Sequence, residues 1–169
     1  MKRIVLYESG TGFTAQYAAW IAEELQCESV VLKNAKSVNV ADYDQVIFGG
    51  WMCAGKVMGY DKFVKLNAKN VVLFAVGMAP SVPEVANKII ADNGFDAERF
   101  FYLEGGYRPE KVNFIMRTMM KLLKKSIEKK PEKTEEDLYI IKNFDGADNA
   151  KKEAVKPLVE YCIKGGALC

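Results

Sequence analysis

The residues best suited to chemistry stand near the N-terminus, where Ser9, Gly10, Thr11, Gly12, Phe13 and Thr14 follow an aliphatic run and open a helical pattern. A helix N-terminus offers unpaired backbone N–H groups and a partial positive charge; glycines let the backbone come close, and hydroxyls add donors. The loop therefore reads as a phosphate site. No lysine or arginine occurs from Ile4 through Leu25, so neutral donors alone are expected to hold the anion. Hydrogen bonds to charged groups contribute about 1.5–3 kcal/mol each, so several can replace a formal cation.

The same absence sorts the candidate loops. A triphosphate loop needs a lysine on the β and γ phosphates, and none is present. The dinucleotide pattern GxGxxG requires a third glycine where Ala15 stands, and the strand-like Val30-Val31-Leu32 runs into Lys33 rather than an acid for a ribose. The chain has no histidine, which removes Ser-His and Cys-His nucleophile pairs and imidazole metal ligands. Cys27, Cys53, Cys162 and Cys169 form no CxxC pair or other metal-ligand spacing, so reduced thiols and no metal site are expected. A bound cofactor with its own reactivity suits such a chain.

The elements that position the loop follow from the apolar pattern. Buried parallel strands are expected at Ile4–Tyr7, Val30–Leu32, Val46–Phe48, Val71–Val76 and Phe100–Leu103. Helical patterns lie between them, at Thr14–Leu25, in a turn near Asp61–Leu66, and at Pro83–Asn93, with Ser81 as N-cap and Gly94 as stop. A weak helical pattern fills the polar stretch between Leu32 and Val46. Alternation of this kind predicts an α/β doubly wound sheet in a single domain, residues 1–169. A last helix is expected at about Ala147–Ile163, with Pro157 as a kink or break. No run of eighteen apolar residues and no leader pattern is present, so a cytoplasmic protein is expected.

The run Val5-Leu6-Tyr7-Glu8-Ser9-Gly10-Thr11-Gly12-Phe13-Thr14-Ala15-Gln16-Tyr17-Ala18 resembles the flavodoxin signature across strand, loop and helix. The resemblance implies a flavodoxin-like three-layer fold of five parallel strands in the order 2-1-3-4-5, with FMN at the switch point between strands one and three. Its isoalloxazine ring would then lie over the loops after strands three and four, Gly50-Trp51-Met52-Cys53-Ala54-Gly55 and Gly77-Met78-Ala79. Trp51 would stack on the ring, and Gly50 and Gly55 would let main-chain groups reach its edge. Cys53 reads either as a redox thiol or as a small buried filler. Gly105-Gly106-Tyr107 should face the same crevice.

After the fifth strand comes an insertion of about residues 107–144. Val112, Ile115, Met116, Met119, Leu122, Leu123 and Ile127 recur at helical spacing, and residues 108–133 carry nine basic against three acidic side chains. That balance of +6 leaves the remaining chain near −4 within a total of +2. Flavodoxin carriers are acidic, whereas this insertion resembles that of the flavodoxin-type, quinone-dependent protoporphyrinogen oxidases in placement, composition and the closing run Asp145–Ile163. The second resemblance implies an FMN-dependent oxidoreductase working between an organic substrate and a quinone-like acceptor; its catalytic side chains are not assignable from sequence. An electron carrier serving redox-protein partners is the alternative, and a fold-retaining module without cofactor a third. The basic segment 108–133 suits a peripheral contact with the inner face of a membrane, a roof over a substrate pocket, or a helix packed on its own domain with solvated lysines. No aromatic platform accompanies the lysines, so nucleic acid is not an expected partner.

Overall fold

A computed structural model describes residues 1–164; Cys169, one of the four expected thiols, lies outside the described residues. Five parallel strands form the central sheet: β1 (Arg3–Tyr7), β2 (Glu28–Val31), β3 (Gln45–Cys53), β4 (Val71–Gly77) and β5 (Phe100–Glu104). Their order is β2-β1-β3-β4-β5, the expected flavodoxin-like arrangement. Leu6 at the centre faces Val30 on one side and Phe48 on the other.

Because strand side chains alternate, the sheet has two apolar faces. Val5, Ile47, Val72 and Phe74 pack with Tyr17, Ile21, Leu158 and Cys162, which belong to α1 (Phe13–Leu25) and the C-terminal helix. Ile4, Leu6, Val46 and Phe48 point the other way, toward Leu32, Phe63 and Ile89. That second layer contains two short 3₁₀ turns, Leu32–Ser37 and Val40–Asp42, then α2 (Tyr60–Phe63) and α3 (Pro83–Asn93). Gly94 closes α3 at φ 67, as the sequence indicates.

Several expectations are corrected. The second strand lies earlier than Val30–Leu32, and the stretch after it forms 3₁₀ turns rather than a helix, being too short and polar to bury an α-helical face. Ser81 does not cap α3. Val82 holds the cap position without a side-chain bond, and Pro83 begins the helix; the Ser81 hydroxyl instead donates to the Tyr102 carbonyl at 3.3 Å. The third strand runs on past Phe48 to Cys53 and turns through Ala54-Gly55 into the antiparallel pair Lys56–Val57.

The insertion forms two helices, α4 (Phe114–Glu128) and α5 (Glu135–Lys142). Asn113 caps α4 through a bond from Met116 N at 2.8 Å. Thr134 and Asp137 form a reciprocal capping box on α5. A two-stranded antiparallel ribbon closes the insertion's base, Gly106 opposite Asp148 and Tyr107 opposite Ala147. The expected helix from Ala147 is thus ribbon first, then a 3₁₀ turn at Lys152–Val155, and only then α6 (Lys156–Lys164). Pro157 sits in the first turn of α6, where its missing N–H is harmless.

Candidate functional site

The phosphate loop joins β1 to α1. Gly12 stands at the helix entrance with φ 97 and no side-chain cap above it. Ser9 Oγ accepts from Gly12 N at 3.2 Å and Ala15 N at 3.3 Å, so this hydroxyl shapes the loop from within. The Thr14 hydroxyl is buried without a hydrogen-bond partner among the described residues. A buried hydroxyl lacking a partner costs about 1–3 kcal/mol, and an anion oxygen at the loop would satisfy it. The site therefore fits a phosphate on an observation independent of its motif.

The cations missing from residues 4–25 arrive from the insertion: an ideal Cβ on Gly12 would lie 3.1 Å from an Arg108 guanidinium nitrogen and 3.8 Å from Lys111 Nζ. Neutral donors are not alone here. Sequence reasoning had no signal for this, because Arg108 and Thr11 are 97 residues apart.

The loops after β3 and β4 meet the phosphate loop as expected from the resemblance. The Trp51 indole lies against Gly10, where an added Cβ would come within 3.1 Å of its ring. The Ala54-Gly55 turn has positive φ at both residues, 47 and 77, the pattern of a tight two-residue hairpin. Asn93 Nδ2 holds that turn from α3 through the Gly55 carbonyl at 2.9 Å. Gly50 faces away from the ring position: it lies inside β3, and the Met58 carbonyl would stand 2.4 Å from its Cβ. Gly77 likewise makes room for the Tyr102 hydroxyl, which donates to the Ala79 carbonyl at 2.9 Å.

Thr11, Phe13, Thr14, Trp51, Met52, Cys53, Ala54, Gly77 and Met78 converge on one cavity of about 360 Å³. Gly106 and Tyr107 complete its wall, and Val112, Met116, Met119, Met120 and Leu123 roof it from α4 and the segment before it. An adjoining space of about 970 Å³ shares Met52, Ala54, Gly77 and Met78, and takes in Gly55 and Ala79. Its outer edge lies between α3 and the start of α5, with Glu84, Lys88, Glu135 and Glu136. Of the expected site residues, Ser9, Gly10, Gly12 and Gly50 act through loop geometry rather than by lining either space. The roof, with its methionines, escaped assignment because an apolar helical stripe reads equally as core.

The cavity between the loops holds thioethers, aromatic rings and peptide groups, with no ionised side chain along its walls among the described residues. Such a lining can bind and desolvate a flat conjugated ring, and methionine adapts to irregular shapes. It supplies no built-in acid, base or nucleophile pair. Cys53 is half-buried, and no disulfide joins Cys27, Cys53 and Cys162. Among the described residues no group of three or more acidic or cysteine side chains could hold a metal ion. The reactivity at this site must come with the bound group.

A family model described as flavodoxin domain matches residues 4–135, and the chain belongs to that family. The solved structures it resembles include a flavodoxin from the domain Archaea, 17% identical over 64% of this chain and 85% of that one, TM-score 0.43. Flavodoxin 2 from Bacillus cereus is 14% identical over 84% of this chain and 94% of its own, TM-score 0.43. The rubredoxin oxygen:oxidoreductase of Desulfovibrio gigas is 14% identical, with 99% of this chain covering 37% of that one, TM-score 0.43. Comparison with the curated proteins gives no match. Membership of the family makes this a flavodoxin-like flavoprotein. Among the described residues no helix is long and apolar enough to cross a membrane.

Proposed function

We propose that this chain binds FMN and works as an oxidoreductase, moving electrons between a planar organic donor and an acceptor such as a quinone. The observation that carries the reading is the roof. A plain electron carrier needs an exposed flavin edge, whereas here α4 overhangs an apolar pocket of about 360 Å³ beside the flavin loops. When bound, the flavin supplies the redox chemistry, which none of the lining side chains can. The Thr14 hydroxyl and the loop N–H groups would hold its phosphate end, with Ser9 shaping the loop beneath, and Trp51 would stack with the ring. Met116, Met119 and Met120 would exclude water above it. The adjoining space of about 970 Å³ is where a second ring system would enter. Two electrons and two protons would leave the donor and convert the quinone to a quinol.

The acceptor's chemistry bears on where the protein works, since many quinones dissolve in bilayers. Phe114, Ile115 and Leu122 on the outer side of α4 are 82%, 71% and 61% exposed, beside Lys121 and Lys125. Apolar side chains ringed by lysines suit an anionic membrane surface, where each basic residue near the lipid contributes about 1 kcal/mol. The proposal therefore includes a peripheral contact of α4 with an anionic bilayer. Sedimentation with phosphatidylglycerol-containing vesicles, but not with phosphatidylcholine alone, would support it; equal recovery in both supernatants would refute it.

The decisive test of the function is the visible spectrum of the pure protein, followed by turnover assays with quinones and porphyrinogen-like donors. A yellow protein that reduces quinones supports the proposal. Rapid single-electron exchange with redox proteins and no quinone turnover would favour a carrier. A colourless preparation that takes up no FMN would overturn both.

A further inference from the structure

We propose that Arg108, delivered by the insertion, is the cation of the phosphate site, so that it selects a phosphorylated flavin over an unphosphorylated one. The inference rests on the flavin-binding reading above and adds to it a residue outside the signature. Arg108 stands just inside the ribbon that closes the insertion. Its guanidinium lies over the Phe13 ring at 3.8 Å, donates to the Thr11 carbonyl at 3.2 Å and to Gln16 Oε1 at 3.2 Å, and pairs with Asp148 at 2.7 Å.

These contacts fix a flat cation against the open side of Gly12, where any side chain would collide with it. They also leave donors over. A guanidinium carries five N–H groups, and those three bonds use three of them. One of those left over is on the nitrogen that lies 3.1 Å from an ideal Cβ on Gly12, in the loop whose Thr14 hydroxyl is 1% exposed and has no partner among the described residues. An orphaned hydroxyl, a helix N-terminus and a fixed cation with a spare donor thus belong to one loop, and the ligand they suit is an anion. Asp148 is 53% exposed against 19% for Arg108, so solvent screens the carboxylate more than the guanidinium it pairs with.

The stacking on Phe13 has a second consequence. Because Arg108 begins the insertion, an anion bound at the loop also anchors the segment that leads into the roof. Phosphate binding and roof order are therefore coupled, a linkage that an unphosphorylated flavin would lack.

The test is titration of the apoprotein with FMN and with riboflavin, followed by quenching of flavin fluorescence, for the wild type, Arg108→Gln and Arg108→Ala. Loss of one charge-assisted contact should weaken FMN binding roughly tenfold to a hundredfold, while riboflavin binding stays unchanged and reports that the fold is intact. The salt dependence of FMN affinity should flatten in both variants. Hydrogen exchange across residues 108–128 should slow when FMN binds the wild type, and riboflavin should not produce this effect. Equal FMN affinity in wild type and variants would overturn the inference and leave the flavin reading standing. Parallel loss of both ligands would overturn it too, by reducing Arg108 to a structural role. A wild type that binds neither flavin would overturn the inference together with the reading beneath it.

Discussion

Tyr139 on α5 donates its hydroxyl hydrogen to the Glu104 carboxylate at the C-terminal end of β5. Asn149 Nδ2 donates to the same phenol oxygen at 3.0 Å, and the other Glu104 oxygen accepts from Ser81 N at 3.1 Å. The Glu104 carbonyl meanwhile takes the Tyr17 hydroxyl of α1 at 2.6 Å. One residue thus ties the second insertion helix, the approach to α3 and the first helix to the strand end that faces the cavity.

Burial, and then the bond to Glu104, push the Tyr139 phenol up to about 12 from its ordinary 10.0. A group whose pKa is raised in the folded state contributes stability below its unfolded pKa and loses it as pH rises toward the folded one. The insertion is therefore expected to loosen between about pH 10 and 12. Tyr139→Phe should abolish that transition and cost about 1 kcal/mol at neutral pH, the usual worth of such a bond. Hydrogen exchange across residues 135–142 against pH reads both effects, and an unchanged profile in the variant would rule the tether out.

Gly49 has no room for a side chain, because an ideal Cβ would lie 1.9 Å from the Phe74 ring. Gly49→Ala should destabilise by about 1–3 kcal/mol through overpacking, lowering the melting temperature by roughly 2–4 °C per kcal/mol. A second change, Phe74→Leu, should recover part of the loss. Thermal melts of the single and double variants test this; simple additivity would contradict the proposed collision.

Trp51→Leu removes the indole that covers Gly10. An aromatic pair contributes about 0.5–1.5 kcal/mol beyond buried area, so flavin affinity should fall up to about tenfold. FMN and riboflavin should lose equally, unlike the Arg108 variants. Fluorescence titration separates the two patterns, and an FMN-selective loss would mean that Trp51 serves the phosphate instead of the ring.

Burial raises the Cys27 and Cys162 thiols, to about 11 and about 12 from 9.0. In the native protein at pH 8 neither should react at an appreciable rate with a thiolate-specific disulfide reagent. The raised values also mean that the two thiols favour the folded state below pH 9 and that this preference declines between pH 9 and 12. Labelling of both within seconds at pH 8, followed by mass spectrometry, would contradict the packing around them.

The strands were legible because fully buried ones are continuous apolar runs, their order came only with the resemblance of the first loop, and Pro83 to Gly94 carried both of its helix boundaries in its own residues. The Gly49-Gly50 pair misled because two glycines usually interrupt a strand. Here they continue β3, one making room for Phe74 and the other for the Met58 carbonyl. The phosphate loop declared itself through local spacing. Arg108 did not, since nothing local relates it to Thr11. The stripe on α4 gave its helix but not its faces: Met116 turns inward while Ile115 and Leu122 face out, although all three belong to the same stripe.

The ribbon at the base of the insertion bears on how this domain was assembled. Tyr107 and Ala147 sit opposite each other, so the intervening chain leaves and re-enters the domain at one point. A segment whose ends already touch can be lengthened, shortened or exchanged with little change in closure entropy, since that cost grows only slowly with length. The two insertion helices are in this sense a replaceable cassette on a common frame. Arg108 is the first residue past that point, so a graft beginning after it could alter the roof, and with it the substrate admitted, while keeping the anion site.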